Sequence, residues 1–210
     1  MAVLLEGYSV ILEPLDWLRH RSGLFAAVAG PQNDAIWTYM PIGPFRDEEH
    51  FEAQFEAVRK RLGWEALVIR GAGSHEILGT ASYMRIRETH GSAEIGCVAF
   101  GKKLKRTREA TEAIYLMARH LFEGLGYRRY EWKCHNENAA SQRAATRFGF
   151  MFEGVFRNDM VVKGESRDTA WFAMTDTDWP RLKSGFEAWL SDTNFATNGR
   201  QIKMLEAFRV

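Results

Sequence analysis

The chain has 210 residues and a formal net charge of +1, which gives no overall attraction to nucleic acid or to a membrane surface. Hydrophobic residues make up 46% of it and charged residues 26%, as is usual for a soluble domain with a substantial core. Cys97 and Cys134, its two cysteines, form neither a disulfide framework nor a zinc pattern, and no apolar run could span a bilayer. We therefore expect a reduced, cytoplasmic protein with no metal and no membrane association.

The first third of the chain predicts one strand, two helices and a loop. Residues 8–15 read as a strand, and Asp16 is a candidate N-cap for a helix over 16–29. The segment 31–45 holds three of the five prolines, which predicts a loop without regular structure. A second helix is expected after Asp47, where acidic residues favour a helix start.

The rest of the predicted core consists of six strands and two helices. Period-two and period-3.6 patterns predict strands at 64–70, 77–87, 93–100, 127–134, 150–157 and 167–174, and helices at 107–123 and 139–148. This order indicates an α/β (α+β) fold with a mixed, mostly antiparallel sheet of about seven strands flanked by helices. We expect this domain to cover residues 1–175, with 176–210 forming a helical extension packed on it.

A cluster of cations precedes the amphipathic helix predicted at 107–123. Five of them fall within seven positions: Lys102, Lys103, Lys105, Arg106 and Arg108. Cations at a helix N-terminus are unfavourable unless an anion binds there, because free N–H groups attract negative charge. The stretch has no glycine, yet any non-proline residue offers an N–H group. It predicts an anion site, with a solvated charge run or an RNA-binding patch as alternatives; the lack of interleaved aromatic residues argues against nucleic acid.

A second motif follows the strand predicted at 127–134. Asn138 and Ser141 are polar residues at the start of the next helix, and Gly149 ends that helix before Phe150 begins another strand. An asparagine at a helix start is most often an N-cap. The order of the two motifs along the chain is therefore more informative than either motif alone.

In this order the motifs resemble the GNAT superfamily of acetyl-CoA-dependent N-acetyltransferases, nearest to the RimJ/RimL-like ribosomal-protein N-acetyltransferases. The resemblance covers roughly residues 8–174 and is carried by Glu94–Gly96, Ala110–Ala113, Asn138 with Ser141, and Phe148–Phe150. It implies a GNAT-like sheet whose strands 4 and 5 splay to hold acetyl-CoA. It also implies transfer of the acetyl group to a primary amine by direct attack in a ternary complex. The alternative is a non-catalytic acyl-CoA-binding or sensor module.

The resemblance also implies a set of cofactor contacts. The family's pyrophosphate loop, Q/R-x-x-G-x-G/A, matches Lys105–Ala110, where Arg108 replaces the first glycine and must either point away or bind the phosphates itself. The family pattern places the pantetheine arm beside Asn138 and the thioester carbonyl near Cys97. The full expected set is Cys97, Val98, Lys105, Arg106, Thr107, Arg108, Glu109, Ala110, Thr111, Asn138 and Ser141.

Catalysis needs a base, because an amine is mainly protonated at neutral pH. Glu94 is the first candidate, with a strand-end salt bridge as the alternative; Glu131 is the second, with an outward-facing strand charge as the alternative. The family tyrosine that protonates the departing thiolate is replaced by Ala145. Ser141 is therefore the candidate acid, with a structural hydroxyl in the first turn of the helix as the alternative.

The acceptor pocket of the family lies where this chain has Trp37 and Tyr39. If exposed, these rings would pack around a substrate beside Glu94; burial as loop anchors is the alternative. The acceptor would be an amine-bearing small molecule or a protein N-terminus, and the sequence does not choose between them. The predicted C-terminal helices are compatible with a homodimer, so the sequence does not decide the oligomeric state.

Overall fold

The computed structural model describes residues 3–209 and contains an eight-stranded sheet in the order β1-β2-β3-β4-β5-β6-β8-β7. The strands are β1 (Leu5–Glu6), β2 (Val10–Pro14), β3 (Glu65–Gly71), β4 (Ile77–Arg87), β5 (Ser92–Phe100), β6 (Arg129–His135), β7 (Met151–Val162) and β8 (Glu165–Thr175). Neighbouring strands are antiparallel except β5 and β6, which are parallel. The predicted fold class is confirmed; the eighth strand is the short β1, which precedes the first predicted strand.

Four of the five helices begin at a residue whose side chain caps them. They are α1 (Trp17–Val28), α2 (Glu48–Leu62), α3 (Arg108–Arg119), α4 (Ala139–Phe148) and α5 (Trp179–Leu190). The side chains of Asp16, Asp47, Thr107 and Asn138 each accept a hydrogen bond from an N–H group in the first turn of their helix. The expectation of an irregular loop at 31–45 was wrong for Pro31–Trp37, which forms a 3₁₀ helix, because proline is tolerated in the first turn.

The sheet separates two hydrophobic cores. One core lies under α3, α4 and α5, and the other lies under α1, α2 and the segment 31–45. Strand β5 contributes to both: Ala93 and Ile95 face the first core, whereas Cys97 and Ala99 face the second. The change of face shows that β5 is irregular near its middle, because a regular strand would keep alternate residues on one face.

The segment after β8 packs against α3. The Tyr115 ring of α3 stacks on Trp179 with centroids 6.1 Å apart and contacts Phe186 at 5.7 Å. Trp189 meets Phe195 edge-on at 5.1 Å. Within residues 3–209, no helix has both the length and the apolar character needed to cross a membrane.

Candidate active site

The sheet opens between its two parallel strands. β5 and β6 pair from Ser92 and Arg129 as far as Ile95 and Trp132, and not beyond. On their other edges, β5 continues to pair with β4 and β6 with β8. The last residues of β5 and β6 therefore diverge and leave a V-shaped gap, which confirms the expected splay.

A bulge in β5 lies at the opening of this gap. Thr80 pairs with Ala99 and Ser82 with Gly96, so Cys97 and Val98 together oppose one residue of β4. Cys97 has a φ of 46°, and a bulge of this kind leaves part of the ladder unpaired. Burial raises the pKa of the Cys97 thiol to about 12, so the side chain stays a neutral thiol at physiological pH and the backbone is the group to consider here.

The start of α3 lies beyond the end of β5 and presents free backbone donors. Thr107 caps the helix by accepting a hydrogen bond from the N–H of Ala110 at 3.2 Å. In the described part of the chain, the N–H groups of Arg106, Arg108 and Glu109 have no hydrogen-bond partner. The Lys105 and Arg106 side chains are exposed beside them. This arrangement suits an anion at the helix start.

Arg108 turns its side chain away from this helix start. Its guanidinium donates to Asp192 at 2.7 Å and to the carbonyl of Leu190. It also lies over the rings of Tyr8 and Phe195, 5.5 and 4.8 Å from their centroids. Only the N–H of Arg108 remains available to a ligand, and the side chain fastens the C-terminal segment to α3.

The first turn of α4 lies beside the point where β6 leaves β5. The Asn138 side-chain oxygen accepts from the N–H of Ser141 at 3.0 Å, while its amide nitrogen has no partner within residues 3–209. The Ser141 hydroxyl accepts from the indole N–H of Trp132 at 3.0 Å, and Trp132 is the last residue of β6 that pairs with β5. The hydroxyl therefore lies next to the mouth of the gap. Ala145, at the position of the family tyrosine, is fully buried.

Glu94 and Glu131 lie directly opposite each other across β5 and β6. The Glu94 residue is 2% exposed, and its Oε2 lies 3.3 Å from Lys133 Nζ and 3.7 Å from Arg85 Nε. Burial raises the pKa of Glu94 to about 7, against the opposing effects of Lys133 and Arg85. A carboxyl group that titrates near neutrality suits a general base, although the salt bridges named as the alternative are also present.

Glu131 is held more tightly than Glu94. Its Oε1 accepts from Arg87 at 2.5 Å and from Arg129 at 2.8 Å. The alternative of an outward-facing strand charge is wrong, because Glu131 is 3% exposed. Its negative charge also contributes to the raised pKa of Glu94, so its position supports Glu94.

The two aromatic residues expected in the acceptor pocket have different environments. Trp37 is completely buried, donates to the carbonyl of Val28 at 2.6 Å and packs edge-on against Phe45. It is a loop anchor, and burial is inconsistent with a direct contact to substrate. Tyr39 is only partly buried, and its ring centroid lies 5.1 Å from that of His135 at the end of β6.

Other polar residues of this face were not singled out by the sequence. Lys133 and Arg85 both lie over the Trp171 ring, 5.4 and 5.2 Å from its centroid. Strand alternation could have placed Lys133 beside Glu131. Trp171 belongs to a strand far along the chain, and its pairing with Lys133 is not visible in any local pattern.

The comparisons with known proteins agree with this geometry. The acetyltransferase (GNAT) domain model matches residues 10–151. A GCN5-related N-acetyltransferase structure from Brucella melitensis is 41% identical with a TM-score of 0.94, covering 100% of this chain and 95% of that one. A probable GNAT acetyltransferase from Chromobacterium violaceum is 43% identical with a TM-score of 0.80, covering 86% and 89%.

A curated relative gives the same answer. The uncharacterized N-acetyltransferase p20 of Bacillus licheniformis is 26% identical over 148 residues, which is 69% of this chain and 82% of the relative. The family match extends from β2 to the first residue of β7 and includes the gap, the start of α3 and α4. This chain therefore belongs to the GNAT family of acetyltransferases.

Proposed function

We propose that the chain transfers the acetyl group of acetyl-CoA to a primary amine, on a small molecule or a protein N-terminus, within a ternary complex. One observation carries the proposal: the gap between β5 and β6 has free N–H groups and cations beyond one end and a buried carboxyl group at its base. An elongated anionic thioester fits the first feature, and an amine that must lose a proton fits the second.

The residues around the gap would hold acetyl-CoA without a metal. The N–H groups of Arg106, Arg108 and Glu109 would bind the diphosphate, with Lys105 adding charge. The free amide nitrogen of Asn138 would donate to the pantetheine arm. Of the other expected contacts, Ala110 and Thr111 are buried, so their side chains would support the helix start rather than touch the ligand.

Glu94 would accept a proton from the incoming ammonium group and leave a neutral amine. The amine nitrogen then attacks the thioester carbonyl carbon, so that a C–N bond forms and the C–S bond breaks. Backbone N–H groups near Cys97 and Val98 would stabilise the oxyanion. Ser141 would give its hydroxyl proton to the departing sulfur and regain a proton, through water, from the nitrogen as the amide forms.

The RimJ/RimL-like assignment belongs to this proposal. It is supported by the Asn138-x-x-Ser141 motif at the start of α4, where the Asn138 side chain accepts from the backbone N–H of Ser141. We also propose that residues 1–175 form the catalytic domain. The segment 176–210 would then stabilise α3 from outside, as the contacts of Arg108 with Asp192 and Leu190 suggest.

The test is a thiol-release assay with acetyl-CoA and a panel of primary amines, with each product confirmed as an amide by mass spectrometry. We expect CoA release only when a suitable amine is present. Tight CoA binding without turnover on any amine would instead support the acyl-CoA sensor. Failure to bind CoA at all would refute both functions.

A further inference from the structure

Strand β8 carries a row of polar groups on the face that holds Glu94. Arg167, Thr169 and Trp171 occupy alternate positions and therefore point to the same side of the sheet. Thr169 lies opposite His135 and Trp171 opposite Lys133 in the ladder with β6. These partners alternate with Glu131 along β6, so the row lies on the face of Glu131 and Glu94.

Each residue of this row has a buried polar atom with no hydrogen-bond partner in the described protein. The atoms are Arg167 Nε, Thr169 Oγ1 and Trp171 Nε1. Buried polar groups are normally paired, and an unpaired one costs about 1–3 kcal/mol. Thr169 is fully buried, whereas Arg167 keeps some exposure, so the arginine is the member of this row that a partner outside the chain can reach. All three can donate, so the partner should offer oxygen acceptors.

Arg167 is the strongest member of the row. It is 8% exposed, and within residues 3–209 its side chain makes no hydrogen bond or ion pair. The adjacent Asp168 forms no ion pair with it, because neighbouring residues of a strand point to opposite faces; the Asp168 carboxylate accepts from the N–H of Asn158 at 2.8 Å instead. Burial lowers the pKa of Arg167, opposed by Cys134, Glu94 and Asp159. Even so, a guanidinium remains charged at neutral pH.

The other charges on this face already have partners. Glu94 is matched by Lys133 and Arg85, and Glu131 is bound by Arg87 and Arg129. Arg167 is therefore a buried cation without an ion-pair partner among the described residues, and it has only longer-range attraction from Glu94 and Asp159. Such a group is strongly unfavourable without an anion, and a carboxylate fits a guanidinium fork with two parallel hydrogen bonds.

We propose that Arg167, supported from behind by Thr169 and Trp171, binds a carboxylate group of the acceptor, so that the preferred substrates are amines that also carry a carboxylate. The inference rests on the proposed acetyltransferase function and names its substrate class. The ammonium end of the acceptor lies toward Glu94 and its carboxylate toward Arg167. Polyamines and simple alkylamines lack the group that Arg167 binds.

The first experiment compares matched acceptors with saturating acetyl-CoA. The carboxylates are glycine, β-alanine, 4-aminobutyrate and 6-aminohexanoate; each is paired with its amide and with an alkylamine of the same length. For the best-fitting length we expect kcat/KM to be about 10- to 100-fold higher for the carboxylate than for its amide. Equal values across all pairs would overturn the inference and leave the acetyltransferase function intact.

The second experiment removes the guanidinium. Arg167→Gln should raise KM for the preferred carboxylate about 10- to 100-fold and change KM for alkylamines and acetyl-CoA less than about 2-fold. Arg167→Lys should recover part of the loss. Arg157→Gln, an exposed arginine on β7, is the matched control and should change nothing. A raised KM for acetyl-CoA in Arg167→Gln would assign Arg167 to the cofactor phosphates and overturn the proposal.

Two further measurements separate the possible failures. Calorimetric binding of 6-aminohexanoate to the CoA-loaded protein, with and without Arg167→Gln, needs no turnover. Arg167-dependent binding without acetylation would refute the acetyltransferase function but keep the carboxylate site; absence of both would refute both.

Arg167→Met should melt at or above the wild-type temperature, because it removes an unpaired buried charge. A lower melting temperature would show that Arg167 has a structural partner, which contradicts the site.

Discussion

The two ends of the gap handle charge in opposite ways. At the start of α3 the cations Lys105 and Arg106 are exposed, and backbone N–H groups supply the directional contacts. On the face of Glu94 and Glu131 both carboxylates are buried and paired with basic side chains, and Arg167 is buried without an ion-pair partner in the described protein. An exposed cation attracts a phosphate without a fixed geometry, whereas a buried charge discriminates between partners and titrates at an unusual pH. We infer that the start of α3 binds the ligand common to the family. The face of Glu94 and Glu131 then determines which amine reacts and over which pH range.

Removing the buried carboxylate should have the largest effect. Glu94→Gln should lower kcat about 10²- to 10⁴-fold, because the amine then lacks a base, while the affinity for CoA stays unchanged. Exposed Glu88→Gln is the control. An unchanged kcat in Glu94→Gln would show that Glu94 is not the base. The proposed difference between the two regions would then be wrong.

The pH dependence tests the same group without substitution. Glu94 has its pKa raised to about 7 by burial, and only the carboxylate form is a base. The wild-type kcat/KM should therefore fall about tenfold per pH unit below about 7 and level off above it, in the window where only Glu94 titrates. A profile that stays flat down to pH 5.5 would contradict a base with this pKa.

Reversing charge at the cofactor end should have a smaller effect, confined to binding. Arg106→Glu combined with Asn138→Asp should raise the dissociation constant of CoA about 10- to 100-fold, because it repels the diphosphate and removes an amide donor. Aspartate can still cap α4, so the helix should survive. Arg61→Glu, the same charge change on exposed α2, is the control. An unchanged dissociation constant would show that the cradle is wrongly placed.

The hydroxyl beside the gap should have an effect of about tenfold. Ser141→Ala should lower kcat about 10-fold and leave the KM of acetyl-CoA within about 2-fold, because a proton donor is lost but few contacts are. Ser141→Thr keeps a hydroxyl and should retain most of the activity. Equal losses in both variants would point to the Trp132 hydrogen bond rather than proton transfer.

The smallest expected effect concerns Arg108, whose side chain faces away from the cofactor end. Arg108→Ala should reduce the free energy of unfolding by about 1–2 kcal/mol, through loss of its contacts with Asp192, Leu190 and Phe195. Chemical denaturation measures this change, and the dissociation constant of CoA should move less than about 2-fold. Weakened CoA binding at unchanged stability would show that the Arg108 side chain binds the cofactor rather than the C-terminal segment.

Local signals predicted some elements closely. The predicted helix 139–148 coincides with α4, because the Asn138 cap and the left-handed Gly149 mark its two ends. The helix predicted at 107–123 instead ends as α3 at Arg119 and continues as a π-helical turn, His120–Gly124. The strand predicted at 150–157 was too short. β7 runs to Val162 because β8 pairs with it along this length, although the exposed residues of β7 follow no alternating pattern.

The sequence by itself determined the fold class, most of the helices and strands, and the family, because caps, helical periodicity and the Asn138-x-x-Ser141 motif act over a few residues. Only the tertiary structure decided the face that carries Glu94. Residues 94, 131 and 167 are far apart in the chain, and they share one face because β5, β6 and β8 pair in a particular register. Burial raises the pKa of Glu94, encloses Trp37 and leaves Arg167 without an ion-pair partner. It depends on how the strands and helices pack and not on neighbours in sequence.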